Sequence, residues 1–89
     1  MNAIEQRLRD AGITLPEAPV PAANYVPAAM GAGLLFVAGQ VPMQDGRIAF
    51  VGKLGGGVSL EDGQAAARLC AINILAQAKA ALDGDLGRI

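Results

Sequence analysis

The stretch GLLFVAGQVPMQDGRIAF, residues 33–50, contains the strand and the turns that decide the fold. Its apolar run predicts a central strand, Leu34 to Gln40, which ends in a glycine and an amide. Such an ending has two interpretations. Either the strand simply stops there, or its end borders a pocket in which Gly39 leaves main-chain atoms open to a ligand.

Two further strands are predicted on either side of this run. Before it, Tyr25 to Met30 has a strand pattern, and Pro27 indicates an edge position or a bulge because it lacks an N–H donor. After it, Asp45-Gly46 is a strong turn signal. Arg47 to Val51 is then predicted as a third strand, with Ile48 and Phe50 pointing to one face and Arg47 and Ala49 to the other.

A long helix is predicted from about Leu60 to Leu82. Ser59 is a favourable N-cap, and Asp83-Gly84 supplies the C-terminal stop. The large apolar residues cover so wide an arc of the helix that the sheet alone cannot bury them, which predicts a second covering surface. These residues are Leu69, Cys70, Ile72, Ile74, Leu75 and Leu82.

Two residues of this helix and the loop before it each have a structural and a functional interpretation. For Asn73, a buried amide bonded to the main chain is favoured over a ligand contact. Cys70 is expected to be a small core residue and not a nucleophile, since no base or cation is placed to activate it. The glycine-rich residues 52–57 invite comparison with a phosphate loop, but Lys53 precedes the glycines instead of following them. A flexible lead-in to the helix is favoured there.

The first 24 residues are predicted to form a separate part. Asn2 to Ala11 has the apolar spacing of a short helix, with Gly12 as its stop. Leu15 to Ala23, here called the proline strap, contains three prolines and must be extended. The predicted organisation is therefore a helix and strap over 1–24, followed by a β-β-β-α unit over 25–89. That unit is of the α+β class, with the helix packed on a mostly antiparallel sheet.

The composition excludes several classes of function. The chain has 89 residues, a net charge of −1, no histidine and one cysteine. The lack of a basic cluster and the scarcity of aromatic residues argue against nucleic-acid binding. Without histidine there is no imidazole for acid–base catalysis, and no metal site is expected. A lone thiol, without a secretion signal or a membrane-spanning apolar run, favours a cytoplasmic protein.

Two stretches, NYVPAAMGAGLLFVAGQVPMQDGRIAFVGKLG and SLEDGQAAARLCAINILAQAKAAL, resemble the YjgF/RidA family, which is also labelled endoribonuclease L-PSP and translation initiation inhibitor. The similarity is to its longer branch, whose members begin with a short helix and a proline strap. The resemblance implies a chorismate-mutase-like α+β fold, a homotrimer, and ligand clefts between subunits. Characterised members hydrolyse reactive enamines and imines to 2-oxo acids and ammonia, without a metal or a bound cofactor.

The resemblance also assigns a cleft to the end of the central strand. It implies that Tyr25, Ala38, Gly39 and Gln40 line the cleft and contact the substrate. Typical members have Ser-Gly-Gln where this chain has Ala38-Gly39-Gln40, so one hydroxyl contact is missing. Catalytic residues remain unassigned. Family members are longer, and their second half supplies an arginine for the substrate carboxylate and a glutamate near the reacting carbon. The chain is thus expected to correspond to the N-terminal half of the family domain.

Three functions follow as hypotheses. The first is an imine deaminase that is catalytically incomplete in these 89 residues, and the second is a non-catalytic small-molecule-binding or assembly module of the same fold. The third, an endoribonuclease or translation inhibitor, is disfavoured by the acidic pI of about 5.1 and the absence of histidine. The expected partners are further copies of the chain, with a trimer favoured, and a small carboxylate-bearing molecule in an intersubunit cleft. Neither nucleic acid nor membrane is expected, and the sequence leaves the substrate open.

Overall fold

In the computed structural model, which describes residues 3–21 and 23–89, two α-helices accompany three short pairs of strands. The longer of the two helices packs on the first three strands. Asn2 of the predicted first helix and Ala22 of the proline strap lie outside the described residues. The elements are α1 (Ala3–Asp10), β1 (Ala28–Gly31), β2 (Leu34–Val37), β3 (Met43–Gln44), β4 (Arg47–Ile48), β5 (Lys53–Leu54), β6 (Gly57–Val58), α2 (Leu60–Ala81) and a 3-10 turn (Leu86–Arg88).

The β1–β2 hairpin forms the longest piece of sheet. Its strands are antiparallel, with Ala29 opposite Phe36 and Met30 opposite Leu35. Ala32 and Gly33 both have positive φ values, 53° and 76°, as the two central residues of a type I′ turn require. Because side chains alternate between faces, Leu35 is half-buried on the helix side, while Phe36 is 60 % exposed on the opposite side.

Both strands of this hairpin are shorter than predicted. The first begins at Ala28 and not at Tyr25, because the N–H of Tyr25 is used in a local turn to the oxygen of Ala23. The second ends at Val37 and not at Gln40. Beyond Ala38, the carbonyls of Gln40 and Val41 accept hydrogen bonds from side chains of α2 instead of from another strand.

The predicted third strand was wrong in its length and in its pairing. Asp45 and Gly46 do form the expected turn, with φ values of 52° and 77°. It connects β3 to β4, so that this hairpin forms its own two-stranded sheet instead of extending β1–β2. The strand does not continue to Val51, because Phe50 adopts a φ of 57°, which no strand accommodates.

Helix α2 begins and ends close to the predicted residues. The hydroxyl of Ser59 accepts a hydrogen bond from the N–H of Asp62 at 3.1 Å, which confirms the predicted N-cap. At the other end, Asp83 and Gly84 have positive φ values, and the N–H of Gly84 donates to the oxygen of Lys79 at 2.8 Å. This is the C-terminal stop that Asp83-Gly84 predicts.

The glycine-rich loop before α2 is more regular than the expected flexible lead-in. Lys53–Leu54 and Gly57–Val58 pair in parallel. The N–H of Gly56 donates to the oxygen of Lys53, and the N–H of Gly55 donates to the oxygen of Val58, both at 2.9 Å. The glycines therefore permit a tight hydrogen-bonded turn that delivers Val58 into the core.

The core is small and much apolar surface stays uncovered. The accessible surface is 6216 Å², about 1,300 Å² more than a monomer of this mass usually has. Ile74 of α2 is 43 % exposed, and Leu34 and Phe36 are exposed on the outer face of the hairpin. The surplus exceeds the area that one partner buries in a standard protein interface, about 800 Å². The buried apolar residues are Val58, Ala76, Ala78, Leu82 and Leu86.

Candidate functional site

A cleft opens where β2 ends, between the proline strap and residues 39–43. The space in it that a water-sized sphere can occupy is about 10 Å³, which is room for a single water molecule. The cleft as this chain bounds it is thus narrow and open on one side. Its lining residues are Pro19, Val20, Pro21, Tyr25, Pro27, Gly39, Gln40, Val41, Met43 and Gln77.

Three of the four predicted site residues meet in this cleft. Tyr25, Gly39 and Gln40 line it, and Tyr25 is 45 % exposed. Ala38 does not line it, but its main-chain oxygen accepts a hydrogen bond from Nε2 of Gln40 at 2.9 Å. That bond turns the Gln40 side chain back toward the strand. The contact of these residues with a ligand stays a prediction.

Gly39 is not required by packing. A Cβ added at this position would meet no atom within 4 Å. The main-chain N–H groups of Gly39 and Gln40 donate to no acceptor among residues 3–21 and 23–89. The end of the strand thus borders an open space with main-chain donors left over, which matches the second of the two interpretations of this glycine.

One wall of the cleft is held by side chains of α2. Nδ2 of Asn73 donates to the oxygens of Val41 and Met43, at 3.3 Å and 3.0 Å. Sγ of Cys70 lies 3.5 Å from the oxygen of Gln40. Asn73 is 1 % exposed, so the prediction of a buried amide bonded to the main chain is confirmed. Cys70, three residues earlier on the same face, is half-buried as a core residue would be.

The opposite wall is held by Gln77, a residue that the sequence analysis did not single out. Its Nε2 donates to the main-chain oxygen of Pro19 at 2.7 Å, and the residue is 4 % exposed. A signal was present in the sequence, since Gln77 lies four residues after Asn73 and therefore on the same face of the helix. A second amide on that face indicates a second irregular segment that needs a donor.

The chemistry of the cleft is neutral. None of its lining residues carries a charge, and the polar groups are the Tyr25 hydroxyl, the amides of Gln40 and Gln77, and main-chain atoms. Within the described part of the chain, no cluster of three or more His, Cys, Asp or Glu side chains could hold a metal. The site can therefore orient a small polar molecule through hydrogen bonds, but offers it no fixed charge.

Another depression lies between the β1–β2 hairpin and α2. It is an apolar groove of about 670 Å³, bordered among others by Met30, Leu35 and Ile74. Arg88 also borders it, and no residue lines both this groove and the cleft. No helix in the described ranges has both the length and the hydropathy to cross a membrane.

Comparison with known proteins identifies a matching family and relatives of this chain. The model of a family described as "YjgF/chorismate_mutase-like, putative endoribonuclease" matches residues 5–89. Protein TCP17 of Trypanosoma cruzi is 42 % identical over 86 residues, which cover 97 % of this chain and 53 % of TCP17.

Two crystal structures have a similar backbone. One, of a "putative endoribonuclease" from Shewanella oneidensis MR-1, is 39 % identical with a TM-score of 0.91, over 99 % of this chain and 58 % of that one. The other, Atu1372 from Agrobacterium tumefaciens, a protein of unknown function, is 52 % identical with a TM-score of 0.79, over 93 % of this chain and 48 % of that one. The chain thus spans about half the length of these relatives.

Proposed function

Because this chain belongs to the YjgF/chorismate mutase-like family, we propose that its cleft is part of an enamine/imine deaminase site of the RidA type. The ligand would be a small 2-imino or 2-oxo carboxylate. The observation that carries the proposal is the convergence of Tyr25 with Gly39 and Gln40, 14 residues later in the sequence, in a single cleft.

The groups in the cleft suit a small polar ligand. An imine is hydrolysed when water adds to its carbon and the nitrogen leaves as ammonia. The site must therefore hold the substrate and one water, which is more than the cleft admits with the strap in its present position. The unused N–H groups of Gly39 and Gln40 would donate to the ligand carboxylate. The hydroxyl of Tyr25 would donate to the imine nitrogen or to the oxygen that replaces it.

The same groups are too few for turnover by this chain alone. A substrate carboxylate is usually held by a bidentate arginine, and none of the cleft-lining residues is cationic. We infer that the remaining wall, with its charged groups, comes from outside these 89 residues. A homotrimer with the cleft between subunits would close the open side of the cleft, and the uncovered apolar surface supports such an assembly.

A second candidate is a binding or assembly module of the same fold without catalysis. The neutral lining of the cleft favours it, since binding through hydrogen bonds needs no general acid or base. Cleavage of RNA is less well supported. The pI of about 5.1 and the absence of histidine oppose both RNA binding and imidazole catalysis. A cytoplasmic location is proposed on the unpaired thiol of Cys70.

The proposal is tested by titrating the ¹⁵N-labelled chain with 2-oxobutyrate, the stable product of 2-iminobutyrate hydrolysis. We expect saturable shifts of the amide signals of Gly39, Gln40 and Tyr25. The neutral analogue 2-butanone should bind more weakly, because it lacks the carboxylate. Tyr25→Phe should weaken binding without unfolding the chain, whereas Gln64→Leu on the exposed face of α2 should not.

Three outcomes would contradict the proposal. One is the absence of saturable shifts at these amides, and another is equal binding of the ketone and the 2-oxo acid. The third is tight binding of a short RNA that displaces 2-oxobutyrate from the same amides. That last result would favour the endoribonuclease label of the family instead.

A further inference from the structure

We propose that Gln77 fastens the proline strap as a wall of the cleft and thereby limits the size of the ligand that the cleft admits. Gln77 is in this sense a positioning residue that determines specificity. The part that concerns ligand size rests on the proposed small-molecule function. The part that concerns the strap does not.

The proline strap has few attachments of its own. Pro16, Pro19 and Pro21 have no N–H to donate. Among the described residues, no main-chain hydrogen bond joins positions 14–21 to another segment. The bond from Gln77 to Pro19, 2.7 Å long and 58 residues apart in sequence, is the side-chain hydrogen bond that reaches the strap. Apart from the partial burial of Leu15, Ala18, Pro19 and Pro21, this bond is the attachment of the strap that a single substitution can remove.

The anchor itself is fixed. Gln77 is 4 % exposed and lies about one turn before the C-terminal end of α2, between two buried alanines, Ala76 and Ala78. Four residues earlier on the same face, Asn73 holds Val41 and Met43. Both walls of the cleft are therefore attached to one helix, and the spacing of Asn73 and Gln77 sets the distance between them.

Release of the strap would widen the cleft. Pro19, Val20 and Pro21 all line it, and in the present position they leave room for about one water. A single hydrogen bond changes an equilibrium about fivefold on average. Loss of the Gln77 bond should therefore raise the population of the detached strap by about fivefold. The apparent affinity of a ligand that needs the wider cleft rises in the same proportion.

The position of the strap can be measured without any ligand, because Tyr25 is the sole tyrosine and the chain has no tryptophan. In Gln77→Leu, acrylamide should quench the fluorescence of Tyr25 more strongly than in the natural chain. The ¹⁵N order parameter of Val20 should fall from about 0.85 to below about 0.6. Gln64→Leu, the same change on the exposed face of α2, is the matched control and should alter neither quantity.

The ligand arm compares 2-oxobutyrate with the bulkier phenylpyruvate. In Gln77→Leu, phenylpyruvate and 2-oxobutyrate should both bind about fivefold more tightly, because each is larger than the single water that the cleft admits with the strap in place. If Gln77→Leu does not fold, Gln77→Asn replaces it, since its amide is one methylene too short to reach Pro19 but keeps the polarity of the site.

The outcomes test the anchoring role, the size limit and the proposed function separately. Unchanged quenching and an unchanged order parameter in both Gln77 variants would overturn the anchoring role. Altered quenching without a gain in affinity for either 2-oxo acid would overturn the size limit. If neither 2-oxo acid binds to any variant, but Tyr25 quenching increases in the Gln77 variants and not in Gln64→Leu, the anchor is supported and the proposed function fails.

Discussion

The side-chain nitrogen of Asn73 lies 3.0 Å from the main-chain oxygen of Met43, 30 residues earlier in the chain. The same nitrogen donates to the oxygen of Val41. One buried amide thus holds the irregular segment between β2 and β3, at Val41 and at Met43, the first residue of β3. Because an unpaired buried carbonyl costs about 1–3 kcal/mol, this side chain stabilises the fold as well as the cleft.

Substitution of Asn73 by leucine should destabilise the protein by about 2–3 kcal/mol, since it retains the volume but removes both hydrogen bonds. Urea unfolding at a fixed protein concentration measures the effect. Gln64→Leu introduces the same side chain on the exposed face of α2 and should cost little. Equal stability of Asn73→Leu and the natural chain would show that water replaces the lost donor.

Removal of the N-cap hydroxyl should have a smaller effect. Ser59→Ala loses the bond to the N–H of Asp62 and should destabilise the fold by about 1 kcal/mol. Ser59→Asp restores an acceptor at the positive end of the helix and should recover the stability. If the alanine and aspartate variants unfold at the same urea concentration, the cap does not contribute in this chain.

The 89 residues alone should not hydrolyse 2-iminobutyrate or 2-aminoacrylate. The reason is the lack of any cation among the residues that line the cleft. Each imine is generated in situ, and ammonia release is followed with and without the chain. Turnover well above the rate in buffer would contradict this prediction and would locate the missing charge within the chain itself.

The chain should associate in solution, with a trimer as the favoured state. Phe36 is 60 % exposed on the outer face of the hairpin, and covering a residue of this size contributes about 1.5–3 kcal/mol. Analytical ultracentrifugation at low micromolar concentration should give a mass that is a multiple of 9.0 kDa. A compact monomer with a cooperative melt would disprove it.

The same measurement identifies the surface involved. Phe36→Lys should lower the mass by placing a charge in the contact, without loss of helix content by circular dichroism. Gln64→Lys introduces the same charge on the exposed face of α2 and should leave the mass unchanged. If both variants associate like the natural chain, the outer face of the hairpin is not the interface.

The sequence by itself predicted the elements whose signals are local. Helix α2 was predicted within one residue at its C-terminal end, because Ser59 and Asp83-Gly84 act on the main chain next to them. The turn at Asp45-Gly46 depends on two residues that tolerate positive φ. The resemblance to the YjgF/RidA family and the α+β class expected from it are confirmed by the family match over residues 5–89 and by the similar crystal structures.

The lengths and pairing of the strands needed the tertiary structure. An apolar run such as residues 34–38 is compatible with a longer strand. Its pattern does not show which main-chain oxygens will accept hydrogen bonds from a distant helix. Side chains of α2 donate hydrogen bonds to the main chain after Ala38, so the strand ends at Val37. The organisation into residues 1–24 and 25–89 remains a prediction.

The residues of the cleft were likewise only partly predictable from the sequence. Tyr25, Gly39 and Gln40 could be named from a resemblance that runs along the sequence, but Gln77 could not. A glutamine in an apolar helix is compatible with any segment that leaves a carbonyl unpaired, and here that segment lies 58 residues away. Only the folded chain decides which carbonyl it is, because the donor and acceptor become neighbours only after α2 has packed against the proline strap.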